Sequence, residues 1–199
     1  MLPDVLKQSL ASSQRVSKRV KILACAGIIL THAIGAAAIG LSPIPFSDAA
    51  LLVPLQTEMF ASLAAIWGLY VWRYPKVVLF YASFQTLTAM GGLGLANLLK
   101  LIPGFGTWAG MAIDAAVASC LTAALGVGYS AAFNAVATKW PQLGNLQSDQ
   151  IMEVMRPYTQ PEYIASLVTK FREGYSGGGI QRSSIEGLLT DVLNEKKIK

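Results

Sequence analysis

Residues 22–41 run for 20 positions without a charged side chain, and three more long apolar stretches follow them. Residues 49–72 hold only Glu58 as a charge, residues 77–99 hold none, and the 34 residues of 105–138 hold only Asp114. About 20 apolar residues in a helix cover the hydrocarbon core of a bilayer. The first three stretches therefore fit one crossing each. The fourth is too long for one, and its last turns, past about Ser130, are expected to run along or out of the membrane. Only six of the 27 charged residues lie between Ile22 and Thr138. Charged residues are 14% of the chain, against about 25% in a soluble domain. The expected fold is all-α: a helical membrane protein of two proline-turn hairpins, about four membrane helices, with a short cytosolic helical tail.

Three parts follow from this pattern. Residues 1–21 read as a basic amphipathic helix, with Leu2, Val5, Leu6 and Leu10 at helical spacing and Arg15, Lys18, Arg19 and Lys21 after them. Such a helix is expected on the membrane surface or over the cytosolic side of the core. Some 20 polar and amphipathic residues precede the first apolar run and no convincing small-residue cleavage site follows that run, so the N-terminus does not read as a signal peptide. Residues 22–140 form the membrane domain. The run Ser42-Pro43-Ile44-Pro45-Phe46-Ser47-Asp48 breaks the first helix and offers Ser47 or Asp48 as the next cap. Residues 101–107 repeat the device with Pro103, Gly104 and Gly106, and Tyr74-Pro75 separates the halves. An offset of 60 pairs Leu41 with Leu101, Pro43 with Pro103, Ala64 with Ala124 and Gly68 with Gly128, which suggests a parallel repeat.

Residues 141–199 read as a water-soluble tail. Ser148-Asp149 caps a short helix, Thr159 to Glu162 forms a capping box, and Ser183 to Glu186 forms another. The last helix carries Ile185, Leu188, Leu189, Val192 and Leu193 on one face. That face needs a cover, from this protein or from another.

Basic residues orient the chain. With the N-terminus inside, Lys18, Arg19, Lys21, Arg73, Lys76 and Lys139 fall on the inner side and Lys100 alone on the outer. This places both termini in the cytoplasm. Both outer turns are short, so hairpins that insert from one side without crossing are the alternative. No basic stripe interleaved with aromatics is present, and nucleic acid is not an expected partner.

Two readings compete for the polar residues inside the apolar runs. In residues 105–138, Gly106, Gly110, Asp114, Ala118, Thr122, Gly126 and Ser130 recur every four positions. Small residues at this spacing let helices approach closely in lipid, which makes a packing seam. The same stripe could line a polar path containing Asp114. A lesser seam runs through Gly27, Thr31 and Gly35, with Ala36 and Gly40 beside it. Glu58 and Asp114 would cost about 2.5–3.5 kcal/mol at a bilayer centre unless they face protein or water. His32, Gln56, Gln85, Asn97 and Thr122 are their candidate partners. Structural hydrogen bonding and ion or proton handling are both open for them. Cys25 and Cys120 each sit in an apolar run and read as buried small hydrophobes. No phosphate loop, zinc-protease motif, nucleophile elbow or paired CxxC occurs. Neither an enzyme nor a cofactor is expected.

The run Ala38 to Asp48, followed by Leu51, Gln56 and Met59, resembles the domain-of-unknown-function family 697. That family's pattern is an apolar helix, P-x-P, an aspartate, then a glutamine and a methionine. Leu101-Ile102-Pro103-Gly104-Phe105-Gly106, with Gly110 and the region from Thr122 to Gly126, looks like its second proline-glycine turn and glycine-rich helix. The resemblance covers roughly residues 20–135. It implies a membrane-associated domain that commonly follows a small GTPase domain, with Pro43, Pro45, Asp48, Gln56, Pro103 and Gly106 as signature positions. This chain has no GTPase domain, so the implied GTPase would act from a separate chain. The expected protein is a non-enzymatic module of the bacterial plasma (inner) membrane. It would form homo-oligomers through its small-residue seams and anchor or serve a GTPase-type partner. The rivals are an oligomeric channel or transporter using Glu58 and Asp114, and a membrane-shaping hairpin protein.

Overall fold

The computed structural model describes residues 4–41, 47–81, 111–140, 146–173 and 179–194. Every regular element among them is a helix. In chain order these are α1 (Asp4–Gly40), α2 (Ser47–Ile66), a 3-10 turn at Val71–Arg73, the helical segment 75–81, and α3 (Met111–Lys139). Then come α4 (Ser148–Met155), which runs into a 3-10 turn at Arg156–Thr159, then α5 (Pro161–Glu173) and α6 (Arg182–Asn194).

α3 is the axis of the molecule. From Ala115 to Val136 every side chain is buried or half-buried, and only Thr138 and Lys139 in the last turn are exposed. α1, α2, α4, α5 and α6 all pack on it. α1 presents Ile22, Cys25, Ala26, Ile29, Ala33 and Ala36 inward, a spacing of three and four that makes one helical stripe.

Two glycines in α3 set how closely its neighbours approach. A Cβ on Gly126 would meet Ile29 Cγ1 of α1 at 2.6 Å. A Cβ on Gly128 would meet Ile164 Cδ1 of α5 at 2.9 Å and the Tyr158 carbonyl oxygen at 3.0 Å. Two residues apart on a helix is about 200° around it. Gly126 thus seats α1 on one side and Gly128 seats α5 on the other.

Several boundaries differ from the sequence expectation. α1 is one 37-residue helix, so residues 1–21 do not form a separate surface helix: the described part of that segment continues straight into the apolar run. No helix breaker stands near residue 21 to divide them. The second apolar stretch stops at Ile66 and not at Trp72. Gly68 has φ 85°, Gly68 N–H donates to Ala65 O (3.0 Å) and Leu69 N–H donates to Ala64 O (2.9 Å). This is a Schellman ending, in which a left-handed residue turns the chain back on its last carbonyls. Pro75 then opens the next helical segment, where its missing N–H costs nothing. Gly128, the repeat partner of Gly68, lies within α3, so the matched pair plays unlike roles.

The tail is not a separate appendage. Ile151, Met155, Ile164, Leu167, Val168, Phe171, Ile185, Leu188, Leu189 and Leu193 are buried in the same core as Ile29, Tyr129 and Phe133. The apolar face of α6 is thus covered by its own chain. Lys18 Nζ of α1 donates to Leu193 O at 2.7 Å and to Asn194 Oδ1 at 3.1 Å. A cation there satisfies an open carbonyl and matches the negative end of the helix. Arg182 Nη2 donates to Leu23 O at 3.2 Å at the other end of α6. The expected capping boxes differ in detail. Thr159 Oγ1 bonds back to Met155 O and Arg156 O, while Arg182 precedes Ser183 in α6 and pairs with Glu186 at 2.7 Å.

Two described helices are long and apolar enough to cross a membrane, Ser17–Gly40 and Ala115–Lys139, and Leu51–Ile66 is a shorter apolar helix. Of the third expected span, only 77–81 is described, as helix.

Candidate functional site

Polar side chains in an apolar interior need partners, and the structure shows which of the described candidates find one. Gln56 and Thr122 are both buried, and Gln56 Nε2 donates to Thr122 Oγ1 at 3.1 Å, linking α2 to α3. Gln56 Oε1 is buried with no hydrogen-bond partner among the described residues. His32 is buried on α1, and its Nδ1 lies 2.8 Å from Ile28 O of its own helix. A ring nitrogen facing a carbonyl must carry the proton, so Nδ1–H donates. The hydroxyls of Thr31, Thr57 and Ser130 likewise donate to the carbonyls of Gly27 (3.0 Å), Val53 (2.7 Å) and Gly126 (2.9 Å) four residues back. Back-bonding of this kind satisfies a hydroxyl without a second helix.

Glu58 lies elsewhere. It is exposed on the outer face of α2, in register with Leu51, Pro54 and Ala65, which are also exposed. Among the described residues nothing bonds to it. The structure therefore unites Gln56 with Thr122 and leaves Glu58 and His32 apart from that pair. Asp48 and Asp114 lie on the described backbone of α2 and α3, while their side chains lie outside the described residues. Pro43, Pro45, Gln85, Asn97, Pro103, Gly104, Gly106 and Gly110 lie outside them altogether.

Of the α3 stripe, Ala118 is half-buried, and Thr122, Gly126 and Ser130 are fully enclosed. Thr122 meets α2, and Gly126 meets α1. These positions serve packing inside one chain. The lesser stripe on α1 is divided: a Cβ on Gly27 would meet nothing within 4 Å and Thr31 is exposed, whereas a Cβ on Gly35 would meet Leu55 Cδ1 of α2 at 3.4 Å and Ala36 and Gly40 are buried. The larger side chains Ile22 and Ile29 face inward.

Three features escaped the sequence reading. Phe60 of α2 stacks on Tyr81 (ring centroids 4.6 Å apart) and meets Tyr129 (5.1 Å) and Phe133 (5.0 Å) of α3. Tyr81 and Tyr129 complete the cluster, edge to face at 5.5 Å. Aromatic residues spread over three helices carry no spacing signal, so only the fold unites them. Gly128 went unremarked in the stripe because it falls on the opposite face of α3. The third feature is a ring of aromatic and basic residues where α2 ends. Lys21 Nζ stands over the Trp67 ring, 5.0 Å from its centroid. Tyr70 (62% exposed) and Trp72 (54%) stand outward beside Arg73 and Lys76. The short spacing of Trp, Tyr, Trp, Arg and Lys between two apolar runs could have marked it.

No group of three or more His, Cys, Asp or Glu able to hold a metal occurs among the described residues. No protein-family model matches the chain, and no curated protein or solved structure matches it.

Proposed function

We propose that this chain is a non-enzymatic helical module of a lipid bilayer, embedded through the outer face of α1 and capped on one side by α4–α6. The supporting observation is the pattern of exposure. Along α1 the exposed positions from residue 20 onward are Val20, Leu23, Ala24, Thr31, Ile34, Ala38 and Leu41, apolar except for one back-bonded threonine. A face of this kind is stable against lipid and unfavourable against water, at about 25 cal/mol per Å² of apolar surface. The exposed positions of α4, α5 and α6, by contrast, include Asp149, Gln150, Glu153, Glu162, Lys170, Arg182, Thr190 and Asp191, with no apolar side chain among them.

Length favours a full crossing over a shallow hairpin. From Lys21, beside Trp67, to the end of α1 at Gly40 is 20 residues, and α2 is also 20 residues. A helix of that length spans about 30 Å, the thickness of a hydrocarbon core. Lys18 touching Leu193 puts the start of that crossing and the end of α6 on one side. We assign that side to the cytoplasm on the positive-inside pattern.

The family resemblance supports a GTPase partner acting from a separate chain. With the apolar face of α6 covered, that partner would meet the polar exterior of α4–α6. Homo-oligomers would need surfaces other than Thr122, Gly126 and Ser130, which are spent within the chain, and the outer face of α2 around Glu58 is open for this. An alkaline carbonate wash of native membranes tests the reading. Retention in the pellet until detergent is added supports it, and release into the supernatant overturns it.

A further inference from the structure

The ring at the end of α2 sits where a bilayer surface would meet the protein, an inference that rests on the embedded reading above. The Schellman turn at Gly68 and the 3-10 turn at Val71–Arg73 hold Tyr70 and Trp72 outward, 62% and 54% exposed. Neither ring is needed to fill the core, which Leu69, Val71 and Tyr74 enter from the same turn. Apolar rings held in water are costly, whereas at the headgroup level Trp and Tyr are favourable because one edge is greasy and the other polar.

The charges beside them are unbalanced. Lys21 stands over the Trp67 ring face, and no carboxylate among the described residues pairs with it. No described carboxylate pairs with Arg73, and Lys76 approaches only Asp149 at 4.0 Å, with both side chains about 70% exposed (72% and 70%). An ion pair that exposed contributes little and is easily exchanged. Arg73 and Lys76 thus follow the two outward rings in the chain, and Lys21 stands over Trp67 just before them, at one end of a crossing about 30 Å long.

We propose that Lys21, Tyr70, Trp72, Arg73 and Lys76 form a headgroup site for anionic phospholipid. The rings enter the boundary between headgroups and acyl chains, and the three cations hold the lipid phosphate. Arg73 offers paired donors to phosphate oxygens, and the two lysines contribute as point charges. The rigid turn fixes the rings at one depth, so the site also sets how far the protein sinks.

The test uses the full chain reconstituted in vesicles doped with spin-labelled phosphatidylglycerol or spin-labelled phosphatidylcholine. The expected result is a motionally restricted lipid component that prefers phosphatidylglycerol by about fivefold or more, on the scale of one basic side chain at an anionic surface. Lys21→Gln with Arg73→Gln and Lys76→Gln should bring that preference close to one while leaving the restricted component in place. Equal restriction of both lipids by the unaltered protein overturns the headgroup site but leaves the embedded reading standing. No restricted component with either lipid overturns both. A second measurement avoids substitution of charge: the fluorescence lost in Trp72→Phe should be the part quenched more by bromines at carbons 6 and 7 of the acyl chain than at 11 and 12. The reverse order places the ring deep and overturns the site.

Discussion

α1 and α6 both lie against the same central helix, and both bury an apolar stripe, yet their outer faces are opposites. α1 shows Ile34 and Val20 to the surroundings, 60% and 61% exposed, whereas α6 shows Arg182, Ser183, Ser184, Thr190 and Asp191. α3 cannot reveal this difference, because it is enclosed from Ala115 to Val136 and would be equally apolar in a globule or in lipid. The distinction between solvents is written on the second layer. A helix apolar on every side is either central or lipid-facing, and only its neighbours tell which.

The comparison breaks most decisively if charge is tolerated on both outer faces. Ile34→Asp should cost about 2.5–3.5 kcal/mol of insertion and lower the membrane-bound fraction, whereas Asp191→Lys should stay within about 0.5 kcal/mol. Membrane fractionation reads both. The next effect separates the two sides of α3. Gly126→Ala and Gly128→Ala should each cost about 1–3 kcal/mol through overpacking, the first against Ile29 of α1 and the second against α5. Limited proteolysis should cut the 146–194 region faster only in Gly128→Ala, because the Tyr158 carbonyl beside Gly128 belongs to backbone and cannot swing away. A smaller effect sharpens the picture: a double-mutant cycle of Gln56→Leu and Thr122→Val should return a coupling of about 0.6 kcal/mol, and no more than about 1.7 kcal/mol. Unfolding from mixed micelles measures it. Smallest is Lys18→Met, which should cost about 0.3–1 kcal/mol at the C-terminus of α6. Faster amide hydrogen exchange in its last turn is the readout.

Sequence alone made the helical character legible, because long runs with one charge or none leave few alternatives to helix. The chain breaks were partly legible. Pro75 was readable as a boundary, but Gly68, not the tryptophan four residues on, ends α2, and a glycine following apolar residues looks the same whether it caps a helix or lies within one, as Gly128 does. The tail's helices were legible from their amphipathic spacing, though the caps that form are not the expected ones, with Gln147 and not Ser148 before the first. Their docking was not legible, because the face of Ile185, Leu188, Leu189 and Leu193 would look the same with a foreign partner. Thr122 and Gly126 were visible as small residues at a fourfold spacing. Their partners Gln56 and Ile29 are 66 and 97 positions away in the chain, and only the fold selects them. Glu58 was legible as an anomaly, but no spacing rule tells that it points outward.

The central claim is that α1 faces hydrocarbon where α6 faces water. Single cysteines in place of Ile34 and Asp191, in a background of Cys25→Ala and Cys120→Ala, would carry spin labels in the reconstituted protein. Collision with oxygen, which concentrates in lipid, would be compared with collision with a water-soluble nickel chelate. The account predicts oxygen dominance at position 34 and nickel dominance at position 191. Nickel dominance at both positions would contradict it.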